Sequence, residues 1–155
     1  MNKIFIVMLL FLFTKTLFAQ KMDSVRFKNN ALYVELFGNS GLGIISANYE
    51  KKIFQNNNCF YTVRTGVAFS NYPILINRIA GLRKNHFEVG TGVILDRYGD
   101  HAITGNVMYR YQKPQGKFIF RIGWTPSVFL NQGSYKYGYG YLFLVFCGIS
   151  AGYAF

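Results

Sequence analysis

The sequence has little cysteine, little proline and little acid. Only two of its 155 residues are Cys, so Cys59 and Cys147 cannot build a disulfide scaffold or a four-ligand zinc site by themselves. Three Pro and a hydrophobic fraction of 51% argue against disorder, and the composition is not that of collagen or of a coiled coil. Six Asp and Glu against 17 Lys and Arg give a formal charge of +11. Sixteen Phe, twelve Tyr and sixteen Gly instead favour β structure.

The N-terminal residues have the layout of a secretory signal peptide. A short basic start is followed by the apolar run Ile4–Phe13 and by a small residue, Ala19, suited to signal peptidase. The run is too short for a transmembrane helix, which needs about 20 residues, although an uncleaved anchor or a buried strand is the alternative. We expect residues 1–19 to be removed and residues 20–155 to form one domain with a charge of +9. Export argues against nucleic acid as a partner.

Apolar and polar residues alternate along eight segments of the mature chain. Alternation with a period of two is typical of strands that have one polar and one apolar face. No helical segment or linker separates the eight segments, which favours a single meander of antiparallel strands. The segments are Leu32–Phe37, Ile45–Glu50, Tyr61–Phe69, Ile74–Ala80, Phe87–Val93, Asn106–Tyr111, Phe118–Trp124 and Tyr141–Phe155.

The charged residues within these strands share one face. Bulky apolar residues such as Val63, Phe87 and Ile122 occupy the other face. An outward apolar belt around a polar interior is the pattern of a membrane barrel and the reverse of a lipocalin-type calyx. The sequence therefore predicts a closed antiparallel eight-stranded up-and-down transmembrane β-barrel. Three Glu and three Arg are expected to fill its lumen as a packed ionic network, namely Glu35, Glu50, Arg64, Glu88, Arg110 and Arg121.

The position of Arg78 is left open, because Asn77 and Arg78 are adjacent and the phase of their strand is ambiguous. The other basic residues fall at strand ends and turns, which predicts a basic rim made of Lys51, Lys52, Arg83, Lys84, Lys113, Lys117 and Lys136. We expect this rim to be solvated or to contact lipid head groups.

The C-terminal strand ends with an aromatic residue that follows regularly spaced outward residues, Ile149, Ala151, Tyr153 and Phe155. This ending is similar to the assembly signal of outer-membrane β-barrels. With the signal peptide and the eight strands, the chain resembles small barrels of the OmpA, OmpX and OmpW type, without any domain after the barrel. The resemblance implies insertion into the cell outer membrane by the barrel assembly machinery, contact with outer-membrane lipids, and periplasmic termini.

In that orientation the connections fall into two groups. The expected outer loops are Gly38–Gly41, Asn71–Tyr72, Asp96–His101 and Thr125–Gly140, and the expected periplasmic turns are Phe54–Asn58, Leu82–Asn85 and Lys113–Gly116. The last outer loop alternates Tyr and Gly, which suits an extension of its two strands, an adhesive surface or a plug of the barrel mouth.

A structural or surface-interaction role is the function that we expect, without an identified surface ligand and without a cofactor or metal. A narrow channel for small solutes and a secreted soluble β-sandwich or lipocalin-like binding protein are the alternatives. Some small outer-membrane barrels modify lipids with a Ser, a His and a carboxylate. The spacing here gives no support for such a site, so we expect no enzyme; the residues considered are His86, Asp100, His101, Ser127 and Ser134.

Overall fold

The computed structural model describes residues 27–40, 44–56, 59–99, 101–130 and 142–155. The predicted signal peptide and most of the predicted Tyr/Gly loop lie outside these ranges. Two of the candidate catalytic residues, Asp100 and Ser134, lie outside them as well.

Eight antiparallel strands form one closed barrel, which confirms the predicted eight-stranded up-and-down architecture. Each strand pairs with the next in the chain, and β8 pairs with β1 to close the sheet. The strands are β1 (Asn30–Phe37), β2 (Ile45–Asn56), β3 (Cys59–Ala68), β4 (Asn71–Leu82), β5 (Asn85–Asp96), β6 (Ala102–Gln112), β7 (Phe118–Phe129) and β8 (Leu142–Ala154). A single 3-10 turn, η1 (Gly38–Ser40), follows β1. No helix in the described ranges is long and apolar enough to cross a membrane.

The barrel has two different ends. The turn end carries Asn30, Ala154 and the β2–β3, β4–β5 and β6–β7 connections, and the loop end carries the other four connections. Several strands run further than the alternation predicted. β5 includes Asp96 and β7 includes Thr125–Phe129, all of which were expected in outer loops. Strand pairing continues in these residues, as in Asn71 with Asp96 and Phe129 with Leu142.

Period-two alternation turns every second strand residue outward. Most of these residues are apolar, so the outward face of the barrel is apolar. Val34, Val67 and Ile76 are each more than half exposed. Arg78 also points outward, which settles the open phase of β4. Its strand turns Asn77 and Ile79 inward instead, both fully buried.

Most exposed aromatic residues lie near the two ends of the barrel, with aliphatic residues and the single Trp124 between them. Near the turn end are Tyr49, Phe87, Tyr109, Phe118, Tyr153 and Phe155. Near the loop end are Phe37, Phe69, Tyr72, Tyr98 and Phe143. The exposed aliphatic residues between them include Val34, Ile74, Ile76, Val89, Val107, Ile122, Val145 and Ile149. We call these residues together the outward belt.

The interior consists of a polar middle between two apolar ends. At the loop end, Ile94, Ala102 and Phe129 are buried together, with Leu144 and Phe146 packed against them. At the turn end, Phe27, Phe60 and Ile79 form a second buried cluster. The charged side chains of the lumen lie between these clusters, where the barrel leaves little room for water.

Gly152 allows β1 and β8 to approach closely where the barrel closes. A Cβ atom at this position would lie 2.2 Å from Tyr33 Cβ and 2.3 Å from the Leu32 carbonyl oxygen. At Gly105, on the outward face, the nearest atoms to an added Cβ are 3.4 and 3.6 Å away. The two glycines are therefore a matched pair of crowded and open sites.

We predict that Gly152→Ala lowers the free energy of unfolding by about 2 kcal/mol, because the added methyl group displaces backbone and Tyr33. Gly105→Ala should change it by less than about 0.5 kcal/mol. Urea unfolding of the refolded barrel, followed by circular dichroism, measures both. Equal stability of the two variants would contradict the close approach of β1 and β8.

Candidate functional site

The structure places all six predicted lumen charges inside the barrel, on six different strands. Each is at most 3% exposed. Their positions follow from alternation, since each lies on the inward face of its strand. We call this set the lumen network: Glu35 on β1, Glu50 on β2, Arg64 on β3, Glu88 on β5, Arg110 on β6 and Arg121 on β7.

Glu35 joins two arginines from opposite sides of the barrel. Its Oε2 accepts from Arg64 Nη1 at 3.2 Å and from Arg121 Nη1 at 3.4 Å. Ser150 Oγ on β8 donates to the same oxygen at 3.2 Å. The other oxygen, Oε1, accepts from the backbone N–H of Asn39 at 2.8 Å. Four donors therefore converge on one buried carboxylate.

Glu88 occupies the centre of the network. Arg121 binds it with two donors, Nη2 at 2.5 Å and Nε at 3.1 Å, in the bidentate geometry that suits a guanidinium and a carboxylate. Arg110 Nη1 adds a contact at 3.3 Å, and Asn106 Nδ2 donates at 2.8 Å. Glu88 thus connects Arg121 to the third arginine, Arg110.

Glu50 ends the network with a second bidentate pair. Arg110 Nη2 lies 2.8 Å from Oε1, and Arg110 Nη1 lies 3.0 Å from Oε2. Arg110 Nε donates to the side chain of Gln112 at 2.9 Å. Positive and negative charges alternate along the whole network, in the order Arg64, Glu35, Arg121, Glu88, Arg110, Glu50.

Apolar and aromatic groups cover the faces of two guanidinium groups. Arg121 lies over the ring of Tyr33 at 4.6 Å, and Arg110 lies over the ring of Phe60 at 5.6 Å. Met108 Sδ is 3.0 Å from Arg121 Nη2. Such stacking favours the planar cation of arginine over the compact ammonium group of lysine. It also leaves the network tightly enclosed.

The first connection at the loop end turns into the barrel. Gly38–Gly41 was predicted as a short outer loop, but Asn39 of η1 is only 1% exposed. Oriented to satisfy its neighbours, the Asn39 amide donates to Thr104 Oγ1 at 2.9 Å and accepts from the Arg64 guanidinium. Asn39 therefore lies in a connection at the loop end, where a loop was predicted, but its amide and backbone N–H turn into the interior and bind partners there.

The segment before β1 closes the turn end. Phe27 is 3% exposed and stacks on Phe60, with ring centroids 5.0 Å apart. Its ring also meets the edge of His86 at 5.0 Å. Lys52 Nζ donates to the Phe27 carbonyl at 2.7 Å, so this lysine holds the segment in place. The prediction that Lys52 belongs to an exposed basic rim is wrong, since it is partly buried in this contact.

The described candidate catalytic residues do not come together. His86 is buried at the turn end, where its Nε2 is 3.2 Å from the Gln112 carbonyl. Ser127 is buried in the lumen and hydrogen-bonded to Thr104 Oγ1 at 2.8 Å. His101 is exposed at the loop end and accepts from the Asp96 N–H through Nδ1 at 3.3 Å. Within the described ranges no three His, Cys, Asp or Glu side chains form a group that could hold a metal ion.

Three residues of the predicted assembly signal lie on the outward face of β8, and the fourth, Phe155, follows its last residue. Ile149, Ala151, Tyr153 and Phe155 are all exposed. Asn30 and Phe155 exchange two backbone hydrogen bonds of 3.0 and 2.9 Å, which fixes the end of the last strand to the first. Cys147 is also exposed, whereas Cys59 is buried, and both are free thiols.

Comparison of the chain with protein-family models, with characterised proteins and with solved structures gave no match. The functional argument therefore depends on the geometry of this barrel. In that geometry every carboxylate of the lumen network faces at least one guanidinium, and a cluster of buried apolar side chains lies near each end of the lumen.

We predict that Glu88→Gln lowers the free energy of unfolding by about 3 kcal/mol, because it leaves Arg110 and Arg121 as uncompensated buried charges. Asp96→Asn makes the same chemical change at the loop end, where the carboxylate binds Ser70 Oγ and the Tyr98 N–H rather than an arginine. It should cost less than about 1 kcal/mol. The urea midpoints of both variants test this. A Glu88→Gln variant no less stable than Asp96→Asn would contradict the proposed contribution of the lumen network to the free energy of unfolding.

Proposed function

We propose that this chain is an outer-membrane β-barrel protein with a closed lumen and a structural or surface-interaction role. The inverted polarity of the barrel carries the proposal. Charged side chains are buried inside, while large apolar side chains cover the outside. A soluble barrel arranged in this way would expose its outward belt to water at a high cost in free energy.

Closure of the sheet also suits a bilayer. In lipid, every backbone N–H and C=O group needs a partner within the protein, and a closed barrel leaves no unpaired strand edge. The eight-stranded ring is complete, since β8 pairs with β1 from Ala31 with Ala154 to Phe37 with Gly148. A two-sheet sandwich is excluded by the same pairing. A lipocalin-type calyx is disfavoured because its interior would be apolar.

The distribution of aromatic residues supports a membrane position with the outward belt across the hydrocarbon layer. Rings near both ends of a barrel suit the two interfaces of a bilayer. Arg78 is a charged exception on the outward face, between Tyr61 and Val89 in the register. It lies near the turn end, so its long side chain can reach the head groups while its stem stays in apolar surroundings.

The predicted signal peptide and the C-terminal residues Ile149, Ala151, Tyr153 and Phe155 support export and insertion by the barrel assembly machinery. In this orientation the turn end faces the periplasm and the loop end faces outward. Because the lumen is filled, the protein offers the exterior its loops rather than a passage. An anchored platform for surface contacts is the role that this arrangement fits best.

We predict that the protein made in a Gram-negative host is found in the outer-membrane fraction. Its mobility on a denaturing gel should differ between unheated and boiled samples, because closed membrane barrels resist the detergent until heated. Density-gradient fractionation and paired gel lanes measure these two properties. A protein found soluble in the periplasm with a single mobility would contradict the membrane location.

We also predict that the wild-type barrel carries no ionic current above that of a bare bilayer, since eight strands enclose just enough room for the side chains present. Planar-bilayer recording of the reconstituted protein tests this, with a porin in the same bilayers as the positive control. Heat-modifiable mobility of the reconstituted sample verifies that the barrel is folded. A steady wild-type current would favour the alternative of a narrow channel for small solutes.

A further inference from the structure

Among the described residues of the turn end, the exposed charged side chains are all basic. Six exposed basic residues lie there: Lys28, Lys51, Arg83, Lys84, Lys113 and Lys117. The side-chain carboxylates of the described ranges are elsewhere. Glu35, Glu50 and Glu88 are buried in the lumen network, and Asp96 is at the loop end. The end that faces the periplasm in our proposal therefore attracts anions.

Three of these cations line one open cleft of about 690 Å³. We call it the basic cleft; its walls are Arg83, Lys84, Asn85, Lys113 and Pro114. None of the three cationic side chains forms an ion pair within the part of the chain that the structure describes. Their donors are thus available to a ligand.

The two turns that form the basic cleft are held in place by backbone hydrogen bonds. The Gln112 N–H donates to the Lys84 carbonyl at 2.9 Å, which ties the β4–β5 turn to the end of β6. The Gly116 N–H donates to the Lys113 carbonyl at 2.9 Å and closes the β6–β7 turn. The backbone from which the three cationic side chains project is therefore fixed by the folded sheet, so binding does not have to order the two turns.

One side of the basic cleft continues onto the apolar exterior. The Tyr109 hydroxyl donates to Asn85 Oδ1 at 2.9 Å, so a residue of the cleft wall is bound to a residue of the outward belt. Tyr109 pairs with Phe87 on one side and with Ile122 on the other. A ligand with an anionic head and an apolar tail would meet matching chemistry at both places.

We propose that the basic cleft binds the phosphate group of an anionic phospholipid, whose acyl chains lie along the outward face of β5 and β6. This inference rests on the proposed membrane location. Lys and Arg donate charge-assisted hydrogen bonds to phosphate oxygens. A zwitterionic lipid carries a quaternary amine that the three cations repel, so phosphatidylglycerol should bind in preference to phosphatidylcholine.

The test uses the full mature barrel, purified in a non-ionic detergent and mixed with either lipid, with retained lipid counted by native mass spectrometry. The cleft variant combines Arg83→Gln, Lys84→Gln and Lys113→Gln. The control variant removes the same number of charges from the same end with Lys28→Gln, Lys51→Gln and Lys117→Gln. We expect the cleft variant to retain phosphatidylglycerol about tenfold less than wild type, and the control variant to retain it within about twofold.

Equal losses in the two triple variants would overturn the inference, because general attraction to a basic surface would then explain retention. Equal retention of the two lipids by wild type would overturn it as well. Complete displacement of phosphatidylglycerol by inorganic phosphate would show a site for free phosphate instead of a lipid. Heat-modifiable mobility and insertion into liposomes are measured on the same samples. A barrel that inserts but shows no selective retention refutes the lipid site alone, whereas failure to insert refutes the proposed function.

Discussion

Six buried charges in a barrel too narrow for bulk water impose the constraint on which the rest of this structure depends. An unpaired ion in such a place costs several kcal/mol, so each charge must find its partner within the lumen. The lumen network meets this demand by alternation, and its middle carboxylate, Glu88, binds two arginines at once. Other features serve the same end: Asn39 enters from the loop end to bind Glu35, and Tyr33 covers the face of Arg121.

The closed interior and the apolar exterior are two results of the same alternation. A period of two that turns Arg and Glu inward turns aliphatic residues outward at the neighbouring positions. In the function that we propose, a lumen with an ionic network in its middle and buried apolar clusters near both ends is not a passage. The parts of the molecule that remain free for contacts are the loop end, the outward belt and the positive turn end. We therefore propose that the function resides on the surfaces of the barrel and that the lumen contributes stability.

Sequence alternation predicted the strands and the inward direction of the six charges, because a strand residue has only two possible faces. It did not predict which charges pair, since the partners of Glu88 depend on the stagger of β5, β6 and β7 around the barrel. The phase of β4 was undetermined because Asn77 and Arg78 are both polar. Alternation could not predict that Asn39 and Phe27 point inward, because both lie outside the strands. Their direction depends on the partners that the folded interior offers them.

The central claim is that the outward face of the barrel meets lipid, and the native thiol Cys147 allows its most direct test. Cys147 is exposed on the outward face of β8, opposite Trp124. A nitroxide attached to Cys147 in the Cys59→Ala background would report its surroundings in reconstituted liposomes by electron paramagnetic resonance. The account predicts that relaxation is enhanced more by oxygen than by a water-soluble nickel chelate, with the opposite order for a label at His101→Cys, which is exposed at the loop end and outside the outward belt. Stronger enhancement by the nickel chelate at Cys147 would contradict it.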